Sequence, residues 1–381
     1  MPNKPDSVRS AVENLEPYSP GRSIDEIRAA YGVEHIIKMA SNENPLGVSP
    51  MVREALERSA AEVFRYAQSG NPRLAERVAK LHGLNANQVV LGNGSDEVID
   101  LLIRCKAEPG VHNVVTFDPC FSLYPIQSQL CGVELRSVPL KSDFTFDWQG
   151  LLNACDENTA LVFVTTPDNP SGYCPKATEL EALAKALPAG ALLVIDEAYM
   201  DFAAFENGNP TARLAEFSLM PRFKEFNNIA ILRTFSKSFG LAGLRLGYGV
   251  MPAKLADYLC RARPPFSVNI LAEVAGIAAI EDTDFRLATM QTVEDGRNYL
   301  TTELTNMGCT VYPSRSNFIM LTLPQASAAA ADAMFEALLK RGLIIRQLKS
   351  YKLPQMLRIS VGNADENKAL ITAMRAILQG E

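Results

Sequence analysis

Histidine is scarce in this 381-residue chain, with three copies, His35, His82 and His112. None stands beside a carboxylate cluster, which leaves little for a histidine-based metal centre or a Ser-His-Asp triad. Cysteine occurs seven times, at 105, 120, 131, 155, 174, 260 and 309, an odd and scattered set without a C-x-x-C pair. That spacing argues against a disulfide framework and a zinc site, and it suits a reducing cytoplasm. No apolar run reaches the roughly 18 residues needed to span a bilayer. The most hydrophobic window, Ala189–Ala198, is short and rich in Leu and Val, as suits a buried strand. The opening segment, Met1 to Leu15, is polar and is expected to be neither a signal peptide nor a membrane anchor. Positive charge is in the minority, 37 Lys and Arg against 43 Asp and Glu, for a net charge of -6. With no basic patch either, a nucleic-acid partner is not expected. An anionic ligand would have to be held by a few local arginines.

What is present is the composition of an ordinary globular enzyme, 47% hydrophobic and 21% charged, long enough for one large core and a smaller one. From about Asn85 to Gly249, apolar strands alternate with amphipathic helices. The strands read as Gln88–Leu91, Asn113–Phe117, Leu161–Thr165, Ala191–Ile195 and Ile229–Thr234. Continuous apolar strands in this alternation predict an α/β fold with a mainly parallel sheet buried on both faces. Such a sheet holds its ligand at the carboxyl ends of its strands. After Arg263-Pro264-Pro265 the texture changes. A long helical region, Leu271 to about Met307, precedes a strand at Asn317–Leu323 and a helix at Ala326–Arg341. Further strands at Leu343–Arg346 and Met356–Val361 lead to a final helix, Ala364–Leu378. The expected organisation is an N-terminal arm (1–35), a large domain (36–265) and a smaller α/β domain (266–381) against which the arm packs.

Polar residues that follow the predicted strands carry the chemistry. After Ile229–Leu232 comes Thr234-Phe235-Ser236-Lys237-Ser238-Phe239-Gly240, and then Leu241-Ala242-Gly243-Leu244-Arg245-Leu246-Gly247-Tyr248. An isolated lysine there would read as a solvated loop residue, but hydroxyls and glycines flank this one at the end of a buried strand. Asp196-Glu197-Ala198-Tyr199 follows Leu192–Ile195, where Asp196 could equally cap a helix. Thr165-Thr166-Pro167-Asp168-Asn169-Pro170-Ser171-Gly172 follows Leu161–Val164 and contains turn formers. Gly92-Asn93-Gly94-Ser95-Asp96-Glu97 opens a helix, whose first amides form a ready anion site.

The segment from Ser236 to Tyr248 resembles the S-K-x-x-x-L-A-G-L-R-x-G-Y signature of fold-type I aminotransferases, especially their histidinol-phosphate branch. The resemblance runs from about Tyr18 to Gly362. It implies pyridoxal 5'-phosphate (PLP) as cofactor on a seven-stranded sheet, with Lys237 carrying it covalently through its amine. It further implies that Gly94, Ser95, Asp96, Thr234, Ser236 and Arg245 surround the cofactor phosphate and that Phe121 stacks on the ring. Asp196 would pair with the ring nitrogen. Asn169 and Tyr199 would contact the phenolic oxygen, and Asn169 the substrate as well. Leu357-Arg358-Ile359-Ser360-Val361-Gly362 resembles the family's L-R-I-[ST]-x-G, making Arg358 the carboxylate clamp, and Gly342–Arg346 resembles the segment that binds the substrate's phosphate end. Tyr18 in a P-Y-x-P-G arm and Asn44 in an N-E-N-P segment would also face the substrate. Tyr66 would reach the partner subunit's cofactor phosphate in a homodimer, although Ala67–Pro72 departs from the family's R-Y-P-D-P. The implied reaction is transamination between a small-molecule amino donor and a 2-oxo acid: L-histidinol phosphate and 2-oxoglutarate giving imidazole-acetol phosphate and L-glutamate. An aromatic amino-acid aminotransferase, a threonine-phosphate decarboxylase and a non-catalytic relative of the fold stay open as alternatives.

Overall fold

The computed structural model describes residues 7–16 and 21–380. Tyr18 lies outside them. After the two-residue strand β1 (Ile37–Lys38) come the strands of the main sheet. These are β2 (Val89–Asn93), β3 (Asn113–Asp118), β4 (Glu134–Pro139), β5 (Thr159–Thr165), β6 (Leu192–Asp196), β7 (Ile229–Thr234) and β8 (Leu246–Val250). They form a seven-stranded sheet in the order β2-β8-β7-β6-β5-β3-β4. Every pairing from β4 across to β7 is parallel, whereas β8 runs antiparallel to β2 and β7. The short link between β7 and β8 carries a loop and a single 3-10 turn, too little chain for a parallel crossover, so β8 must return antiparallel. Two strands escaped the apolar pattern for visible reasons. β4 (ELRSVP) is a polar, partly exposed edge strand, and the glycines of β8 (LGYGV) dilute its strand signal.

Side chains of the central strands divide between the two faces with period two. Val162, Val164, Leu193, Ile195, Ile229 and Ile231 join one core, while Leu161, Phe163, Leu192, Val194, Ala230 and Leu232 join the other. Each such Leu or Ile contributes about 1.5–3 kcal/mol by leaving water. Both faces are therefore closed, and the strand ends are where polar groups can gather.

A second core lies toward the C-terminus, around β9 (Thr310–Val311), β10 (Phe318–Thr322), β11 (Leu343–Ile344), β12 (Arg346–Leu348) and β13 (Leu353–Ser360). A four-stranded antiparallel sheet has the order β12-β13-β10-β9, and β11 pairs in parallel with β1. Met39 and Ala40, just past β1, are buried in this C-terminal core with Val361 and Leu343. The long helical region expected over Leu271–Met307 is instead two helices, Ile270–Glu281 and Thr283–Asn306. The break falls at Asp282, which leaves helical geometry to cap the second helix through Phe285 N–H at 3.1 Å.

Candidate active site

β5, β6 and β7 end side by side at Thr165, Asp196 and Thr234, and β2 hands over to the helix Ser95–Lys106 nearby. Their carboxyl ends enclose a cavity of about 520 Å³. Ten of the residues singled out from the sequence line it: Ser95, Asp96, Phe121, Asn169, Asp196, Tyr199, Thr234, Ser236, Lys237 and Arg245. A smaller cavity of about 120 Å³ shares Ser41, Phe121, Asn169, Tyr199 and Lys237 with it and adds Asn42, Tyr351, Arg346 and Arg358.

Lys237 donates from Nζ to the Ser41 carbonyl at 3.3 Å and stands 5.6 Å from the centre of the Tyr199 ring. Burial, and after it the Arg358 guanidinium, brings its amine down to about 8. Asp196 is buried, and its carboxylate accepts from the Tyr124 hydroxyl at 2.8 Å and from Ala198 N–H at 3.2 Å. Burial raises this carboxyl to about 6, against the Tyr124 hydrogen bond that favours the charged form. No cation among the described residues forms an ion pair with it. Tyr199, also buried, accepts at its hydroxyl from Asn42 Nδ2 at 3.1 Å.

Arg358, in the middle of β13, is buried and donates to Asn169 Oδ1 and, at 2.9 Å, to the Ala40 carbonyl. Its Nε has no hydrogen-bond partner, and no carboxylate of the described residues forms an ion pair with it. The structural salt bridge that would explain a buried arginine is therefore absent among the described residues. At the other end of the cavity, Arg245 pairs with Asp96 at 3.0 Å, both half-exposed. Gly94 is the N-cap of the helix Ser95–Lys106 and offers no side chain to its first turn. Its φ of +79° is left-handed, and a Cβ there would lie 2.7 Å from the Arg245 guanidinium.

Behind these residues runs a buried charge network. Glu197 accepts from Arg233 and from the Ser218 hydroxyl at 2.6 Å, while Asp201 accepts from Arg233 at 3.1 Å and from the Ser238 hydroxyl. Since Glu197, Arg233 and Ser238 each adjoin a cavity residue, the network ties the ends of β6 and β7 together from below.

Three expected residues among those described do not line either cavity: Gly94, whose turn stands beside Arg245, Asn44 and Tyr66. Asn44 donates to the carbonyls of Lys237 (3.4 Å) and Ser238 (3.1 Å) and to Thr289 (3.2 Å), bracing the lysine's loop. Tyr66 is 81% exposed and stacks on Phe266, with ring centroids 4.6 Å apart. Sequence reasoning missed Ser41 and Tyr124, and it noted Asn42 only as part of the N-E-N-P segment, without a role of its own. Tyr124 lies within the helix Leu123–Cys131 rather than at a strand end, so no spacing pointed to it.

A model of the aminotransferase class I and II family matches residues 34–374. The chain belongs to this family. A histidinol-phosphate aminotransferase of Oleidesulfovibrio alaskensis is 56% identical over 380 residues, covering 100% of this chain and 97% of the relative. One from Nitratidesulfovibrio vulgaris is 58% identical over 376 residues, covering 99% and 98%. Among solved structures, histidinol-phosphate aminotransferase from Sinorhizobium meliloti in complex with pyridoxal-5'-phosphate superposes with a TM-score of 0.86 at 25% identity, covering 98% of both chains. Aminotransferase membership and the strand-end cavity thus agree with the fold expected from the sequence.

Proposed function

We propose that this aminotransferase binds PLP in the 520 Å³ cavity and transfers the amino group of L-histidinol phosphate to 2-oxoglutarate, giving imidazole-acetol phosphate and L-glutamate. The observation that carries the reading is the convergence of Lys237 and Asp196 on one cavity from adjacent strand ends. Full-length identity to enzymes of that name supports the substrate.

The residues present fit the cofactor. Glycine at 94 leaves the helix amides open beside Arg245, a cradle that a Cβ would fill, and this suits a phosphate. Ser95 and Ser236 line the same end, with Thr234 and Asp96 beside them. Asp196, a buried carboxylate held by Tyr124 and without a cation, suits a protonated ring nitrogen. Phe121 offers a stacking face, and Asn169 and Tyr199 offer polar groups for the phenolic oxygen. When bound, PLP supplies an aldehyde that joins amines and a ring that accepts the electron pair released at the substrate carbon. Lys237 supplies the amine, and once free it moves the proton at that carbon. Its depressed basicity keeps much of it neutral near pH 8. Arg358 and Arg346 bind and orient the anionic groups of the two substrates; Tyr18 is assigned to the substrate side, and Asn44 acts through the loop that carries Lys237.

The reading extends to a cytoplasmic homodimer built from an arm, a large domain and a small domain divided near residues 35 and 265. Exposed Val63, Phe64, Tyr66 and Phe266 offer an apolar patch for the partner, and Tyr66 would serve its cofactor phosphate. No described helix is long and apolar enough to cross a membrane.

Steady-state assays across amino donors test the substrate. Histidinol phosphate is expected to give the highest kcat/KM. A preference for phenylalanine or tyrosine would replace it with an aromatic aminotransferase, and release of CO2 from threonine phosphate without an oxo acid would make the chain a decarboxylase.

A further inference from the structure

Three consecutive residues ahead of the main sheet each touch a different functional side chain. The Ala40 carbonyl accepts from Arg358, the Ser41 carbonyl accepts from Lys237, and the Asn42 side chain donates to Tyr199. The first two contacts use backbone that any residue would supply. The third depends on the side chain, and Asn42 is held in an unusual way. It is 1% exposed and has a φ of 56°, a left-handed conformation that asparagine tolerates better than most residues. Asn317 Nδ2 donates to its carbonyl at 3.0 Å.

Ser360 decides which way the Asn42 amide faces. The Ser360 oxygen accepts from Asn42 N–H at 2.8 Å, and its single hydroxyl hydrogen goes to Asn42 Oδ1 at 2.9 Å. Oδ1 thus faces Ser360, and Nδ2, which can only donate, faces the Tyr199 oxygen. A phenol that accepts on one side must direct its own hydrogen elsewhere, and Tyr199 lines both cavities.

We propose that Asn42 is a positioning residue that, locked by Ser360, sets the Tyr199 hydroxyl as a hydrogen-bond donor toward the cavity. This rests on the reading that the cavity holds PLP, whose phenolic oxygen is the acceptor such a donor favours. A donor there stabilises the deprotonated, charged oxygen. Releasing the hydroxyl therefore raises the pH at which the bound cofactor's visible band changes.

The test uses full-length protein titrated with PLP, recording the dissociation constant and the pH midpoint of the visible band. Asn42→Gly keeps the left-handed backbone unstrained and removes the amide, while Ser360→Ala leaves the amide in place and removes the lock, together with the acceptor of Asn42 N–H. Each is also made on a Tyr199→Phe background. Asn42→Gly is expected to weaken PLP binding by roughly threefold to tenfold, the loss of one hydrogen bond's organisation, and to raise the midpoint. Ser360→Ala moves both in the same direction by less, and it carries the test by itself if Asn42→Gly does not fold. On the Tyr199→Phe background neither substitution moves the midpoint further. A midpoint unchanged in both single variants, or a shift that persists in full without the hydroxyl, overturns the proposal. A wild-type protein with no visible band overturns the reading of the cavity and this inference together.

Discussion

The amine of Lys237 offers the sharpest quantitative test, because its environment can be read without the cofactor. An ordinary lysine titrates at 10.5, whereas burial beside Arg358 brings this one to about 8. The difference corresponds to about 3 kcal/mol against the ammonium form. At pH 8, roughly one ordinary lysine in 300 is neutral, whereas about half of the Lys237 amines are, for a midpoint of about 8. Cofactor-free protein exposed briefly to an amine-acylating reagent across pH 6–11, with each lysine quantified by mass spectrometry, reports that fraction directly. Lys237 labelling should rise with a midpoint near 8, while that of an ordinary exposed lysine continues to rise toward about pH 10. Arg358→Gln removes the second cause and should move the Lys237 midpoint upward. The linkage sign also follows. The unfolded chain holds this proton more tightly, so the group's contribution to stability rises with pH between about 8 and 10.5. A Lys237 midpoint near 10, with no response to Arg358→Gln, would refute the argument.

Two further perturbations probe the frame around the lysine. Gly94→Ala forces a Cβ onto a left-handed backbone and against the Arg245 guanidinium, so it should destabilise the protein by about 1–2 kcal/mol and weaken PLP binding. Thermal melts and PLP titration check both, and an unchanged affinity would show that this turn does not hold the phosphate. Glu197→Ala leaves buried Arg233 with Asp201 as its remaining ion-pair partner. Breaking a buried pair in this way costs about 3–5 kcal/mol, here at the low end because Asp201 stays. Urea unfolding of the cofactor-free protein measures it, and a loss below about 1 kcal/mol would mean that the network is not what joins β6 to β7.

The parallel sheet and the cavity at its strand ends were legible because they depend on local regularities. Continuous apolar strands announce burial on both faces, and polar residues directly after them can only gather at the strand ends. Lys237, Asp196, Asn169, Ser236 and Arg245 were found that way and with the help of motifs spanning a few residues each. β4 and β8 were not, since an edge strand and a glycine-rich strand lack the pattern that burial imposes.

The sequence by itself determined which groups the chain brings to the strand ends: a lysine, a carboxylate and a glycine-opened helix start, each tied to its own strand. What only the tertiary structure decided is how those groups are tuned. Tyr124 reaches Asp196 across 72 residues, Asn42 reaches Tyr199 across 157, and Ala40 reaches Arg358 across 318. No periodicity links such positions. The first is made by a helix packing on the main sheet, and the other two depend on how the C-terminal core docks the segment after β1 over the ends of that sheet. Burial in that junction lowers the Lys237 amine and raises the Asp196 carboxyl. Desolvation is a property of the assembled environment, and neighbours in sequence do not supply it.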